Sequence, residues 1–214
     1  MRTIKITGKG AVKVHPDMTR ITITLESIFS EYSEALEHSA RDTDKLKSIL
    51  EPLGFKNTEL KTLSFSIDTE YEGYHENDEY KRRFVGYKYS HVMKLEFESD
   101  NERLGKVLYT LAKCDLHPEF RLSYTVKDAE AVKNEVLGKA VADSKAKAEI
   151  LTKAAEVVLG DIQSIDYSWG EVEFSVSPME NSFCAAPEMK SFDMNIEPDD
   201  IEVSDTVTVV WEIA

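Results

Sequence analysis

The sequence predicts an α+β fold in which antiparallel sheets carry helices packed on one face. Three observations lead there. Several runs place apolar residues at every second position. Three other stretches place them at every third or fourth, and one of these is long and alanine-rich. The order strand–helix–strand–strand also occurs twice, over about residues 19–98 and 120–213. The two passes share little residue identity, so the repeat is structural, with pseudo-halves of about 1–98 and 99–214 inside one domain.

The first strand signal is Ile4 and Ile6, then Val12 and Val14, punctuated by Gly8 and Gly10. After His15-Pro16-Asp17, Ile21, Ile23 and Leu25 share one face while Thr22, Thr24 and Glu26 share the other, the pattern of a half-buried antiparallel strand. Ser30 is placed to cap a helix with Glu31 and Glu34 in its first turn. Its apolar stripe runs Tyr32, Leu36, Ser39, Thr43, Leu46, Leu50, and Pro52 with Gly54 ends it. Leu63, Phe65, Ile67 and Tyr71 then have strand spacing. A polar turn through residues 75–79 leads into an unbroken alternation of Val85, Tyr87, Tyr89, His91, Met93, Leu95 and Phe97. These two runs predict a hairpin of two long strands with a charged tip.

Ser99 and Glu102 form a capping box ahead of a short helix with Leu104, Val107, Leu108 and Leu111 on one face. Phe120, Leu122, Tyr124 and Val126 alternate as a strand. The longest helix is predicted from Asp128 to Leu159, with Val132, Val136, Ala140, Ser144, Ala148, Leu151 and Ala155 on its stripe and Gly160 as its stop. Its Ala-rich middle permits close packing, and one end is expected to reach a neighbouring subunit. Ile162, Ile165, Tyr167 and Trp169, extended by Val172, Phe174 and Val176, read as strand. The segment 177–198 breaks every pattern, and the last strand places Ile201, Val203, Val207, Val209, Trp211 and Ile213 on one face with Asp205 among them.

A chain of 214 residues is long enough to bury roughly 70% of its unfolded surface. A net charge of −14 repels phosphates and anionic surfaces, so nucleic acid is not an expected partner. The compact basic run Lys81-Arg82-Arg83 stands among acids and reads as a solvated turn. No apolar run approaches the roughly 20 residues of a membrane span. Arg2-Thr3-Ile4-Lys5-Ile6 already alternates like a strand, which as written predicts a cytoplasmic protein, or a periplasmic or cell-envelope one if a leader has been removed. Cys114 and Cys184 are far apart, and Cys114 with His117 makes half a metal site at most.

No catalytic, cofactor or metal set emerges. Gly8-Lys9-Gly10 lacks the remaining residues of a phosphate loop and reads as a turn or bulge. The acids of 75–79 and of 197–202 lack calcium-loop spacing and read as solvated turns. His91, between Tyr89 and Met93, reads as a hydrogen-bonded core residue; a catalytic base would need a carboxylate partner. Asp205 lies on an apolar face and should be paired, edge-exposed or protonated. If their strands are neighbours, His91 and Asp205 form a structural polar contact or a proton-handling site. Met179, Phe183, Met189, Phe192 and Met194 on the irregular segment suit an assembly surface, the alternative being a disordered loop.

Five pieces in order resemble one family. They are Gly8-Lys9-Gly10-Ala11-Val12-Lys13-Val14-His15-Pro16-Asp17, Leu60-Lys61-Thr62, Gly86-Tyr87-Lys88-Tyr89-Ser90, the helical run from Ala140 to Glu149, and Ile196-Glu197-Pro198-Asp199-Asp200-Ile201-Glu202-Val203-Ser204. The sequence is similar to the SIMPL-domain family, which includes periplasmic immunogenic proteins of Gram-negative bacteria. Asp199 stands where that family usually has Gly after Pro. The resemblance implies an α+β fold without an established catalytic activity, and ring-like or channel-like oligomers in some members. The expected function is therefore non-enzymatic: a self-assembling protein, with stress-related binding or scaffolding as its role. Two alternatives are a small-molecule or metal-dependent enzyme with a pocket near His91 and Asp205, and an acidic adaptor for a basic protein partner.

Overall fold

The computed structural model describes residues 2–76, 79–167 and 196–214. Its elements run β1 (Arg2–Val14), β2 (Met18–Phe29), α1 (Tyr32–Leu50), β3 (Lys61–Glu76), β4 (Glu79–Glu98), α2 (Asn101–Lys113), β5 (Glu119–Thr125), α3 (Ala129–Ala154), β6 (Leu159–Asp166) and β7 (Ile201–Ile213). This is the α+β class, and the strand–helix–strand–strand order occurs twice, as β2-α1-β3-β4 and β5-α3-β6-β7. Pairing does not follow the repeat. The sheets are ordered β3-β4-β2-β5 and β1-β7-β6. One compact unit spans Met18–Tyr124, and the other gathers the stretch up to Asp17, the stretch from Thr125 and the stretch from Pro198.

In the three-stranded unit, β1 and β7 pair antiparallel without interruption from Arg2 opposite Ile213 to Val14 opposite Ile201. Ile201, Val203, Val207, Val209 and Trp211 of β7 are buried, as are Ile6 and Val12 of β1. Helix α3 covers this face. Asp128 caps it by accepting from the Ala131 N–H at 2.8 Å. Its buried residues are Val136, Ala140, Ser144, Ala148 and Thr152, a strict four-residue row.

Gly8 and Gly10 are not a turn or bulge. Both lie inside the continuous strand β1. A Cβ at Gly8 would come within 1.9 Å of the Ala140 carbonyl oxygen, and one at Gly10 within 1.9 Å of that of Val136. The glycines let the helix backbone rest on the strand backbone. Asp143 accepts the Lys9 backbone N–H at 2.8 Å. Lys147, ion-paired to Asp143 at 2.6 Å, donates to the Thr7 carbonyl at 3.4 Å. Helix α3 thus also occupies part of the free edge of β1. The small-residue row Ala140, Ser144 and Ala148 is buried against its own sheet, while Ala142 and Ala146 are exposed.

Helix α3 is shorter than expected, about 39 Å at 1.5 Å per residue. It ends at Ala154, and Glu156 takes the left-handed turn with φ 55°. Gly160 already belongs to β6. Ile162 and Ile165 of β6 are exposed. Trp169, Val172, Phe174 and Val176 lie outside the described residues.

In the four-stranded unit, Ile21, Ile23 and Leu25 of β2 and Met93, Leu95 and Phe97 of β4 form a core with Leu46 and Leu50 of α1 and Leu104, Val107, Leu108 and Leu111 of α2. The opposite face carries two cross-strand ion pairs, Arg20 with Glu96 at 2.7 Å and Lys88 with Glu26 at 2.5 Å, and Lys94 joins Glu96 along β4 at 2.8 Å. Two expected caps move by one residue. Asp100, not Ser99, caps α2, accepting from the N–H groups of Glu102 and Arg103. Helix α1 starts after Glu31 without a side-chain cap, and the Ser30 hydroxyl donates to Glu34 at 3.2 Å. The first turn of α1 buries Ala35, while Tyr32 and Leu36 are exposed. The helix ends as expected, through a 3-10 turn at Glu51–Leu53 and Gly54 at φ 84°. No described helix is long and apolar enough to cross a membrane.

Gly10→Ala should destabilise the fold by about 1–3 kcal/mol or more, because the helix must lift off the strand. Gly138→Ala, on the same helix with nothing within 4 Å of the added Cβ, should stabilise it by about 0.5–1 kcal/mol. Urea unfolding midpoints measure both; equal effects would remove the close-approach explanation.

Candidate functional site

The most developed polar site lies where α1 crosses β4. Alternation along β4 turns Tyr89, His91 and Met93 toward the helix, and all three are buried. His91 is only 8% exposed. In the sheet it stands between Leu25 of β2 and Phe65 of β3. The Phe65 ring meets the imidazole edge-on at 5.2 Å.

Both imidazole nitrogens face hydroxyls. Nδ1 lies 2.9 Å from Thr43 Oγ1 of α1, and Nε2 lies 2.9 Å from Thr62 Oγ1 of β3. Thr43 also donates to the Ser39 carbonyl at 2.7 Å. A hydroxyl has one proton. Thr43 must therefore accept from Nδ1–H, which leaves Nε2 as the acceptor of the Thr62 O–H. Burial, and then the positive charge of Lys47, hold the imidazole below its ordinary pKa of 6.5. His91 is neutral at pH 7.

At the adjacent residue of α1, the Tyr89 hydroxyl donates to the Asp42 carboxylate. Burial and this bond raise the Tyr89 pKa far above its ordinary value of 10.0. Beside His91 is a shallow hollow of about 240 Å³, lined by Ser39, Ala40, Thr43, Asp44, Lys47, Phe65 and His91. Lys47 and Asp44 meet across it at 3.4 Å. Among the described residues no carboxylate is hydrogen-bonded to His91, and both its nitrogens are engaged. The geometry is that of a structural histidine bordering a small polar hollow.

Asp205 is elsewhere. It stands on β7 opposite Gly10, half-buried, accepting from the Tyr167 hydroxyl at 2.9 Å and from the Thr206 N–H at 2.7 Å. The hydrogen bond to Asp205 raises the Tyr167 pKa. β4 and β7 belong to different sheets. The adjacent strands that would join His91 to Asp205 are therefore not formed, and each residue has its own partners.

The acidic turn near β7 is tied to β1, Glu202 pairing with Lys13 and Asp200 with His15 at 3.3 Å. The Cys114 thiol donates to the Leu111 carbonyl at 3.1 Å, and Asp115 pairs with Lys45. Among the described residues no group of three or more His, Cys, Asp or Glu side chains is arranged to hold a metal ion. Met179, Phe183, Met189, Phe192 and Met194 lie outside the described residues. Sequence reasoning placed His91 on its face but missed Thr43 and Thr62. Thr43 was visible as a hydroxyl on the apolar stripe of α1, whereas Thr62 is out of phase with Leu63, Phe65 and Ile67, and the ladder slip that follows it has no local signal.

A family model described as SIMPL, protein of unknown function (DUF541), matches residues 4–211. No curated protein matches the chain.

The Tyr89–Asp42 bond sets a measurable alkaline response. The folded chain keeps the Tyr89 proton in a range where the unfolded chain loses it. Its stabilising contribution is complete below pH 10 and falls as pH rises beyond that. Tyr89→Phe should lower stability at neutral pH by about 1–3 kcal/mol by orphaning Asp42. It should also flatten the decline above about pH 10. Urea midpoints of both proteins across that range measure this, and parallel declines would contradict it.

Proposed function

The chain belongs to the SIMPL family, and from that premise we propose that it is a non-enzymatic, self-assembling protein that binds or scaffolds through repeated copies. The observation that carries this reading is the outer part of the β3–β4 hairpin. Tyr80 is 65% exposed, Phe84 48% and Tyr71 46%, with Tyr74 and Val85 also exposed. Contiguous exposed apolar side chains on a soluble chain mark a contact surface. Among the described residues β3 is also an edge strand of its sheet, with no strand paired along its outer side.

The hairpin's basic run does not favour an electrostatic partner. Arg83 pairs with Glu72 at 2.5 Å, Arg82 lies over the Tyr71 ring at 5.5 Å, and Lys81 is 4.0 Å from Glu79. Their charges are largely answered within the hairpin. Ile150 and Leu151 of α3 and Val158 after it form a smaller exposed apolar group. The Met- and Phe-rich segment 177–198 remains a candidate contact from sequence.

Light scattering tests the reading. The expected particle is a multiple of the 24.3 kDa chain whose mass persists at 1 M salt, where charge contacts are screened beyond about 3 Å. Replacing Tyr80 and Phe84 together by Ser should reduce it toward a monomer. Deleting residues 177–198 tests that segment separately. A wild-type monomer at all concentrations would overturn self-assembly, and a complex with a basic partner that dissolves in salt would favour the adaptor.

A further inference from the structure

Among the described residues β1 is an edge strand of one sheet and β3 of the other, and the two are oppositely charged. β1 carries Arg2, Lys5, Lys9 and Lys13 and no acid, on a chain whose net charge is −14. β3 carries Asp68, Glu70, Glu72 and Glu76 against Lys61 alone. Lys13 is paired with Glu202, and Glu72 with Arg83. Among the described residues no ion pair engages Lys5, Lys9, Asp68 or Glu70.

Both strands are two-faced in the same sense. On β1 the even positions turn toward α3, where Gly8 and Gly10 meet its backbone, so Lys5 and Lys9 occupy the other face. On β3, Phe65 and Tyr71 share the face of His91 and Phe84, so Asp68 and Glu70 occupy the reverse. The edge of β1 is open over a defined stretch. The Lys9 N–H and the Thr7 carbonyl point outward and are taken by Asp143 and Lys147 of α3. Alternation aims the backbone groups of Thr3 and Lys5 outward as well. Beside them lies a hollow of about 370 Å³ lined by Lys5, Ile6, Thr7, Lys147, Ile150 and Leu151. Ile150 is 67% exposed and Leu151 48%.

We propose that the outer part of β3 in one copy of the chain docks on the edge of β1 over residues 2–7 in the next copy. Tyr71 then lies over Ile150 and Leu151, and Asp68 and Glu70 lie beside Lys5 and Lys9. The inference rests on the self-assembly reading and supplies the surface that receives the hairpin. Strand addition joins backbone to backbone, and the side chains decide which edges meet. Lysines on one edge deter a second β1, and the acids of the other deter a second β3. Pairing β3 with β1 sets acid by base on one face and apolar by apolar on the other. One alignment of the faces serves both, because each strand alternates with a period of two. A contact between two different surfaces of the same chain repeats from copy to copy and does not stop at a dimer.

Charge reversal on the full chain tests it, read by light scattering in about 0.1 M salt, where charges act over about 10 Å. Lys5→Glu with Lys9→Glu should raise the concentration needed for assembly at least about 10-fold, and so should Asp68→Lys with Glu70→Lys. All four changes in one chain should return it to the wild-type value, because the two edges are again opposite in charge. Hydrogen exchange on the wild-type chain needs no variant: the Thr3 and Lys5 amides should exchange more slowly in the assembled protein than after dilution to monomer. A wild-type chain that stays monomeric overturns the self-assembly reading and this pairing with it. A wild-type particle that ignores both reversals, or that the fourfold change fails to rescue, overturns the pairing alone. So does exchange at residues 3 and 5 that dilution leaves unchanged.

Discussion

How closely a helix can approach a strand governs one of the two units. Helix α3 lies against β1 at a distance that leaves no room for a side chain at residues 8 or 10. The helix answers with its own small residues, Ala140, Ser144 and Ala148, spaced so that one row faces the strand. This contact makes β1 and the last strand a usable platform. The N-terminal strand pairs with the C-terminal one over its whole length, and the helix closes both the face and part of the free edge through Asp143 and Lys147. Edge strands are commonly protected by charge or by a covering element, and here one helix supplies both.

The other unit solves the same problem differently. Helix α1 meets its sheet through leucines that would tolerate sliding, and two polar contacts set the register. Tyr89 reaches Asp42, and His91 reaches Thr43. Successive inward positions of β4 are thereby matched to adjacent residues of α1. Buried polar groups are costly when unpaired, so such contacts penalise any other docking of the helix. The same histidine, through Thr62, extends the hold to β3.

Beyond the cover of α1 the hairpin continues outward, and burial falls residue by residue. Tyr89 is buried, Tyr87 half-buried, and Phe84 and Tyr71 are exposed. The rings stay in contact edge to face, Tyr32 with Tyr87 at 5.6 Å, Tyr87 with Phe84 at 5.3 Å and Phe84 with Tyr71 at 5.7 Å. At Gly73 the missing side chain is replaced by the Tyr80 ring, whose hydroxyl occupies the space a Cβ would take. An apolar surface of this kind continues a core into solvent.

Much of the architecture was legible in the sequence. The period of two in β2, β4 and β7, and the apolar face of α2, follow from local patterning, because a buried face must recur with the geometry of its own element. The hairpin was legible for the same reason. Helix ends were less so: Asp100 and Ser99 are both good caps, and Glu156 enters a left-handed turn without the glycine that would announce it. What tertiary structure alone decided were pairings between distant segments. Nothing local says that Gly8 and Gly10 face a helix more than 120 residues away. Nothing local says that Asp205 answers Tyr167 while His91 answers two threonines. Periodicity reports which face a residue occupies, but strand order chooses its neighbours, and strand order is set by the packing of the whole unit.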